Sequence, residues 1–265
     1  MRSANHDRAR TALVTGAGSG IGASFAHALA RQGRHVIAVG RNRARLEALA
    51  REIDAEVLVA DLLDEHDLGV VEQRVRDGVD ILVNNAGYTT YGSFPELEVE
   101  HELGQLILHA AVPLRLCHAA AGSMPSGGRI INIASLAGIA AAPRLAAYGA
   151  SKAALISLSE SLHHELRPAG ITVTCVCAGY TRTELQARAG VDASALPRSL
   201  WHEPEFVAEQ ALRASDRGRA LVYPGRLTAL TGALMRHLPR SLARQAAART
   251  YAMVTPLDSG AHAAS

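Results

Sequence analysis

Aromatic side chains are scarce in this chain. One tryptophan, three phenylalanines and six tyrosines make up 4% of 265 residues, while hydrophobic residues together reach 48%. A sizeable core must therefore be built from Ala, Val, Leu and Ile, which suits helices packed on a parallel sheet. Cysteine is scarce too. Cys117, Cys175 and Cys177 have no metal-type spacing. Cys175 and Cys177 lie in the apolar run Ile171 to Ala178, so they read as reduced core thiols of a buried strand. No histidine has a partner at metal-ligand spacing, so no metal site is expected. The formal net charge is only +2, which argues against broad nucleic-acid binding. No uncharged apolar run reaches about 18 residues, so no membrane-spanning helix is expected. Met1 to Arg10 is polar and basic and has no apolar centre, so it does not read as a secretory signal, and the cytoplasm is the expected compartment.

Internal repeats, low-complexity linkers and composition breaks are also missing. The whole of 1–265 reads as one domain, with 1–10 and 259–265 expected to be disordered. The last absence is local. From Pro224 to Thr250 there is no acidic residue, while Arg226, Arg236, Arg240, Arg244 and Arg249 recur among leucines and alanines. This helical segment, 224–250, has two readings. One is an interfacial helix that touches anionic lipid. The plainer one is a helix that covers a substrate cleft or joins a subunit interface, since Pro239 interrupts the pattern.

What is present alternates. Thr11 to Thr15 reads as a strand, Gly16-Ala17-Gly18-Ser19-Gly20-Ile21-Gly22 as a turn, and Ala23 to Arg31 as a helix closed by Gly33. Glycines at such a turn let the backbone approach a pyrophosphate, and the helix N-terminus aims free N–H groups at it. His35 to Gly40 is a second strand. An acid that would grip a free ribose 2′-hydroxyl is expected near its end. Arg41 stands there instead, with Arg43 and Arg45 close by. An arginine pairs with a 2′-phosphate, which points to NADP(H) over NAD(H). The other reading of these arginines is a solvated helix start.

Further units follow: a helix over Asn42 to Arg51, a strand over Ala55 to Ala60 ending in Asp61-Leu62, and a helix over Asp64 to Arg76 with Asp64 as N-cap. Asp61, at a strand's C-terminal end, can accept from an adenine amino group. Val79 to Val83 is a fourth strand leading into Asn84-Asn85-Ala86-Gly87. Glu98 to Ala121 is a long helical pattern in which Pro113 should kink or end a segment. Gly128 to Ala134 and Ile171 to Ala178 are the fifth and sixth strands. Pro204 to Arg213 is a helix with Glu203 in a capping position, and Ala220 to Tyr223 is a seventh strand. Steady alternation of this kind implies an α/β fold with a doubly wound, seven-stranded parallel sheet flanked by helices.

Tyr148 and Lys152 lie four residues apart, just before the helical run Ala153 to Leu166. On a helix that spacing puts both on one face. An ammonium beside a phenol favours the phenolate, so the tyrosine's pKa should fall towards the range of a working acid or base. Such pairs also occur on ordinary amphipathic helices, and the surrounding motifs decide between the two readings.

Together these residues carry a resemblance. The chain is similar, over about 11–223, to the short-chain dehydrogenase/reductase family. The similarity rests on Thr15 to Gly22, Asp61, Asn84 to Gly87, Ser135, and Tyr148 with Lys152. It implies a Rossmann-type fold and hydride transfer between a nicotinamide cofactor and a carbonyl or alcohol. It implies that Tyr148 donates or accepts the proton, that Ser135 holds and polarises the substrate oxygen, and that Lys152 binds the nicotinamide ribose. It places the cofactor along Gly16, Gly18, Ser19, Gly20, Ile21, Gly22, Arg41, Asp61, Leu62, Asn85, Ala86, Gly87, Gly179, Thr181 and Thr183, with Tyr148 and Lys152. A homodimer or homotetramer is implied in the same way.

Two positions depart from the family pattern. Counting 22 residues from Gly87 leads to His109, where the family has an asparagine that links the lysine to solvent. A neutral histidine either serves that relay or merely packs in the helix. Ala178 stands where proline is common. The segments Tyr88 to Phe94, Leu136 to Pro143, Glu184 to Trp201 and the C-terminal helix should choose the substrate. Their Leu185, Leu196, Leu200 and Trp201 suggest a mainly apolar carbonyl compound or alcohol. The expected activity is NADP(H)-dependent reduction of a ketone or aldehyde. An NADP(H)-binding sensor or scaffold with little turnover is the alternative, and dehydration or epimerisation on the same fold is a third.

Overall fold

The computed structural model describes residues 10–192, 196–251 and 255–256. Seven parallel strands form the main sheet: β1 (Thr11–Thr15), β2 (His35–Gly40), β3 (Glu56–Val59), β4 (Ile81–Asn84), β5 (Arg129–Ser135), β6 (Thr172–Ala178) and β7 (Leu221–Val222). Their order is β7-β6-β5-β4-β1-β2-β3. β1 pairs with both β2 and β4, so the winding reverses direction beside β1. Such a reversal opens a crevice at the C-terminal strand ends, the place where these sheets bind ligands.

Each central strand alternates its side chains between two helical layers. Ala12 and Val14 face one layer with Ile81, Val83, Ile131 and Ile133. Helices α1 (Gly20–Arg31), α2 (Arg43–Ile53) and α8 (Pro204–Asp216) cover it through Phe25, Leu29, Leu46, Val207 and Leu212. Leu13, Ile37, Val39, Leu82 and Ile130 face the other. Helices α3 (Glu65–Arg76) and α5 (Val112–Ser123) cover that side through Leu68, Val71 and Leu116. Burying one such aliphatic side chain contributes about 1.5–3 kcal/mol, and both faces of the sheet are closed this way. This is the doubly wound α/β arrangement expected from the alternation of elements, and the Rossmann-type fold that the resemblance implies.

Most expected elements recur within a few residues, with instructive shifts. Asp64 caps α3 by accepting from the Asp67 N–H, and Asn42 does the same for α2 from the Arg45 N–H. Glu203 stands at the N-cap of α8 but makes no side-chain cap bond; it pairs with Arg182 instead. The Tyr148 helix, α6 (Ala146–Glu165), begins earlier than expected and contains both Tyr148 and Lys152. The two-residue strands Tyr180–Thr181 and Trp201–His202 pair with each other, which the sequence reading did not anticipate. The segment from 224 folds as α9 (Arg226–His237) and α10 (Arg240–Tyr251), separated at Leu238 and Pro239. Of the segments 1–10 and 259–265 expected to be disordered, Arg10 is in place, its carbonyl accepting the His35 N–H at 3.1 Å, and 1–9 and 259–265 lie outside the described residues.

Pro113 does not end its helix. From α4 (Val99–Leu106) the chain runs through a π turn at Ile107–Ala111 into α5. The Val112 N–H donates to the Ile107 carbonyl, one residue wider than an α-helical bond. Pro113 has no N–H to give to the carbonyl four residues back, that of His109. The wider turn absorbs the proline just where His109 sits. The 25-residue run Val99–Ser123 is apolar and long enough to cross a membrane by composition, yet it buries Glu102, Gln105 and His109 and packs on α3 and α6.

Candidate active site

A cleft of about 610 Å³ runs along the C-terminal ends of β1 to β6. Its walls include Gly16, Gly18, Ser19, Gly20 and Ile21 from the first turn, and Arg41, Asp61 and Leu62 from the ends of β2 and β3. Asn85, Ala86 and Gly87 follow β4; Ser135, Tyr148, Lys152 and His109 lie at the centre; Gly179, Thr181 and Thr183 close the far side. Every expected cofactor residue lines this cleft except Gly22.

Gly22 lies behind the turn. A Cβ there would collide with the Gly16 carbonyl and the Asn85 amide, so close packing behind the turn requires this glycine. Gly16 and Gly20 adopt positive φ, at 67° and 55°, which favours glycine at both bends. Asn85 lines the cleft and also holds the turn in place. Its side-chain amide donates to the Thr15 carbonyl at 2.9 Å and to the Gly16 carbonyl at 3.3 Å. Thr15 Oγ1 in turn accepts the Asn85 and Ala86 N–H groups and donates to the Val83 carbonyl. Two adjacent strand ends are thereby laced together beneath the turn.

The cleft suits a dinucleotide. At the start of α1, Ser19 makes no side-chain cap bond and no acid stands in the first turn, so the N–H groups there are left for an anion. Arg41 lies 3.5 Å from Asp61 across the ends of β2 and β3, with two-thirds of its side chain exposed. Arg45 pairs with Glu184 at 2.7 Å, joining α2 to α7 (Glu184–Arg188). Thr183 caps α7 by accepting the Leu185 N–H and packs its methyl against Gly20. The Thr181 hydroxyl donates to the Gly179 carbonyl.

At the centre, Ser135 ends β5 and its Oγ accepts the Ala137 N–H at 3.2 Å. Burial pushes the Tyr148 phenol above its ordinary pKa and outweighs the neighbouring Ser135 hydroxyl, which draws it down. The sequence-based expectation was the reverse. The reason is the direction of Lys152: its ammonium donates to the Ile133 carbonyl at 2.8 Å and lies 5.6 Å from the centre of the Tyr148 ring. Burial lowers Lys152 itself to about 8. Gly138 lets the turn after β5 pack directly on the backbone of α6, because a Cβ there would lie 2.6 Å from the Lys152 carbonyl carbon.

His109 is fully enclosed. Its Nε2 accepts the Tyr88 N–H at 3.3 Å, so Nδ1 carries the proton and donates to Ser151 Oγ at 3.1 Å. Ser151 Oγ donates onward to the Tyr148 carbonyl at 2.8 Å. Burial first, and Lys152 second, hold the imidazole pKa well below its ordinary value, so it is neutral. Gly87 leaves room for the ring: a Cβ there would stand 2.6 Å from Nε2. The histidine thus ties the loop after β4 to the Tyr148 helix, and neither nitrogen reaches Lys152. Ser151 was missed in the sequence. A small hydroxyl three residues after Tyr148 was the available signal, and only the position of His109 gives it meaning.

A second cavity of about 130 Å³ adjoins the first and shares Ser135, Tyr148, Ala178, Gly179, Leu185 and Gln186 with it. Its other walls are Thr89, Tyr91, Leu136, Ala137, Leu145, Tyr180 and Ala189. Behind them Leu196, Leu200 and Trp201 pack on Tyr91 and Tyr180. Two of the expected substrate-choosing leucines and the tryptophan therefore buttress the cavity rather than line it. His163, away from the cleft, hydrogen-bonds the Val173 carbonyl at 2.7 Å. Among the described residues one group, Asp64, His66 and Asp67 at the exposed start of α3, is close enough to share a cation. It lies at the solvated N-cap of that helix.

Residues 10–193 match the short chain dehydrogenase family. The chain is 33% identical over 216 residues to an uncharacterized oxidoreductase of Staphylococcus saprophyticus, covering 77% of this chain and 90% of that protein. Its structure resembles a short-chain dehydrogenase from Sphingobium yanoikuyae in complex with NADPH, at a TM-score of 0.76 and 36% identity over 88% of this chain and 97% of that one. It also resembles the bulky-bulky ketone specific alcohol dehydrogenase from Comamonas testosteroni, at a TM-score of 0.70 and 31% identity over 88% and 96% of the two chains. The seven-stranded parallel sheet flanked by helices agrees with these matches, and the chain belongs to the short-chain dehydrogenase/reductase family of oxidoreductases.

Proposed function

We propose that the protein is an NADP(H)-dependent carbonyl reductase acting on a mainly apolar ketone or aldehyde. One observation carries the reading: Ser135 and Tyr148 stand on the wall shared by the long cleft and the small, largely apolar cavity. A carbonyl carbon held there faces the nucleotide side, while its oxygen meets the two hydroxyls. When bound, NADPH supplies the hydride. Ser135 and the phenol stabilise the charge that grows on oxygen, and Tyr148 delivers the proton. Its raised pKa keeps the phenol protonated at neutral pH, which suits a donor in the reductive direction. The glycine turn and the α1 N-terminus hold the pyrophosphate, Arg41 meets the 2′-phosphate, and Lys152 holds the nicotinamide ribose. The NADPH complex of the Sphingobium relative and the ketone named for the Comamonas enzyme support the cofactor and the substrate class.

The reading extends to a homo-oligomer in the cytoplasm. Exposed Val99, Leu103 and Ile107 on α4 and the π turn support assembly, and three unpaired buried thiols suit a reducing compartment. A sensor that binds NADP(H) with little turnover has one observation in its favour: His109 engages Tyr88 and Ser151 instead of linking Lys152 to solvent. The test is NADPH oxidation with a panel of ketones, compared with Tyr148→Phe. Turnover should fall about 100-fold or more in the variant while NADPH affinity persists. Near-normal turnover in that variant would sink the assignment.

A further inference from the structure

α9 is held on its inner side at three points. Thr228 Oγ1 hydrogen-bonds His202 Nε2 at 2.8 Å, Gly232 lies against the Tyr223 ring, and Arg236 pairs with Glu160 of α6 at 2.7 Å. These contacts fix which face looks outward. That face is apolar: Leu227, Leu230 and Leu234 are 40%, 66% and 54% exposed. Their spacing of three and four residues puts them in one row along the helix. Leu242 of α10 is 50% exposed as well. Within the segment 224–250 the charges are all of one sign. Arg226, Arg240, Arg244 and Arg249 are exposed and pair with no carboxylate among the described residues, and no acid occurs from 224 to 250.

We propose that the outer face of α9 and α10 docks on an anionic lipid surface, with the leucine row set into the headgroup boundary and the arginines on lipid phosphates. The charge pattern selects this occupant. A two-fold partner copy meeting this segment with its own would bring arginine against arginine, and the one carboxylate at the helix, Glu160, is already taken by Arg236. A wholly apolar partner would leave the cations unanswered. A bilayer with anionic headgroups meets the leucines and the arginines at once, each arginine adding to the attraction. The surface is separate from the cleft, yet it is tied to it: a Cβ on Gly179, which lines both cavities, would stand 3.1 Å from Thr228 Oγ1. Docking through the outer face of α9 would therefore bring the substrate end of the cleft to one helix diameter, about 10 Å, from the bilayer surface, where apolar carbonyl compounds partition.

The test is co-sedimentation of the full chain with vesicles of phosphatidylcholine, alone or with about one third phosphatidylglycerol. Binding should appear with the anionic lipid and fall roughly 10-fold when salt rises from about 0.1 to about 0.5 M. The double variant Leu230→Glu/Leu234→Glu and the double variant Arg240→Glu/Arg244→Glu should each lose about 10-fold or more in vesicle partition. Both should keep the wild-type melting midpoint and NADPH affinity, which separates loss of docking from loss of folding. Equal binding to neutral vesicles, or none to either kind, would overturn the proposal. So would a halving of the light-scattering mass in the leucine variant without any vesicle binding, since that assigns the face to a second copy. Binding of an acidic polypeptide at the same face with no response to phosphatidylglycerol would also overturn it.

Discussion

The two ends of the cleft are built differently. The nucleotide end is made of strand termini laced by backbone-directed bonds: Asn85 to the Thr15 and Gly16 carbonyls, and Thr15 to the Asn85 and Ala86 N–H groups. The substrate end is made of short pieces, namely a 3₁₀ turn at Leu136–Gly138, two-residue strands and the five-residue α7. The first end is fixed by the sheet, and the second is held mainly by side chains such as Leu196, Tyr180 and Trp201. A change at the nucleotide end should therefore alter cofactor affinity, while a change at the substrate end should alter turnover and selectivity.

Gly22→Ala is the strongest test of the laced end. Its methyl would strike the Gly16 carbonyl, and the overpacking should weaken NADPH binding roughly 10- to 100-fold, read by fluorescence titration. Unchanged affinity would mean that the turn yields easily and that the comparison is wrong. Arg41→Ala should come next, weakening NADPH about 10-fold more than NADH. Equal weakening of both would show that Arg41 serves the Asp61 pair alone.

His109 sits between the two ends and sharpens the contrast. His109→Asn should slow turnover about 5-fold with NADPH affinity unchanged, because one or both of its bonds to Tyr88 and Ser151 are lost. Ser151→Ala should do much the same. The two together should cost less than the product of the single effects, as expected for one chain of bonds. A faster His109→Asn enzyme would reverse the assignment and make the histidine an obstacle to the relay.

The last effect is on stability against pH and is read without turnover. Burial lowers Lys152 from an ordinary 10.5 to about 8 in the folded chain. Between these values the unfolded chain binds the extra proton, so the lysine's contribution to stability rises with pH through this window and is lost as pH falls through about 8. Lys152→Met should flatten that rise in denaturant midpoints measured from pH 7.5 to about 10.5. An identical slope in the variant would place the ammonium in solvent.

What the sequence disclosed follows the same division. Alternating apolar runs, Asp64 and Asn42 at helix starts and the glycines after β1 act locally, so their structure could be read from neighbours alone. The substrate end depends on contacts between segments far apart. Nothing near Trp201 announces its pairing with Tyr180, and nothing near Ser151 announces His109. Pro113 was legible as a disturbance but not as a π turn, because the remedy depends on what the widened turn must hold in place. The Tyr148 and Lys152 pair was found from spacing, whereas the direction of the tyrosine's shift was misjudged. Spacing says that two groups share a face; it does not say that both are buried and that the ammonium turns to the Ile133 carbonyl.

The central claim is that the wall shared by the two cavities carries out a redox reaction and does not merely hold a nucleotide. The most direct measurement follows NADPH oxidised and alcohol formed in one reaction with a panel of apolar ketones. The account predicts one alcohol for each NADPH consumed with at least one member of the panel. NADPH that binds tightly and is oxidised by none of them would contradict it.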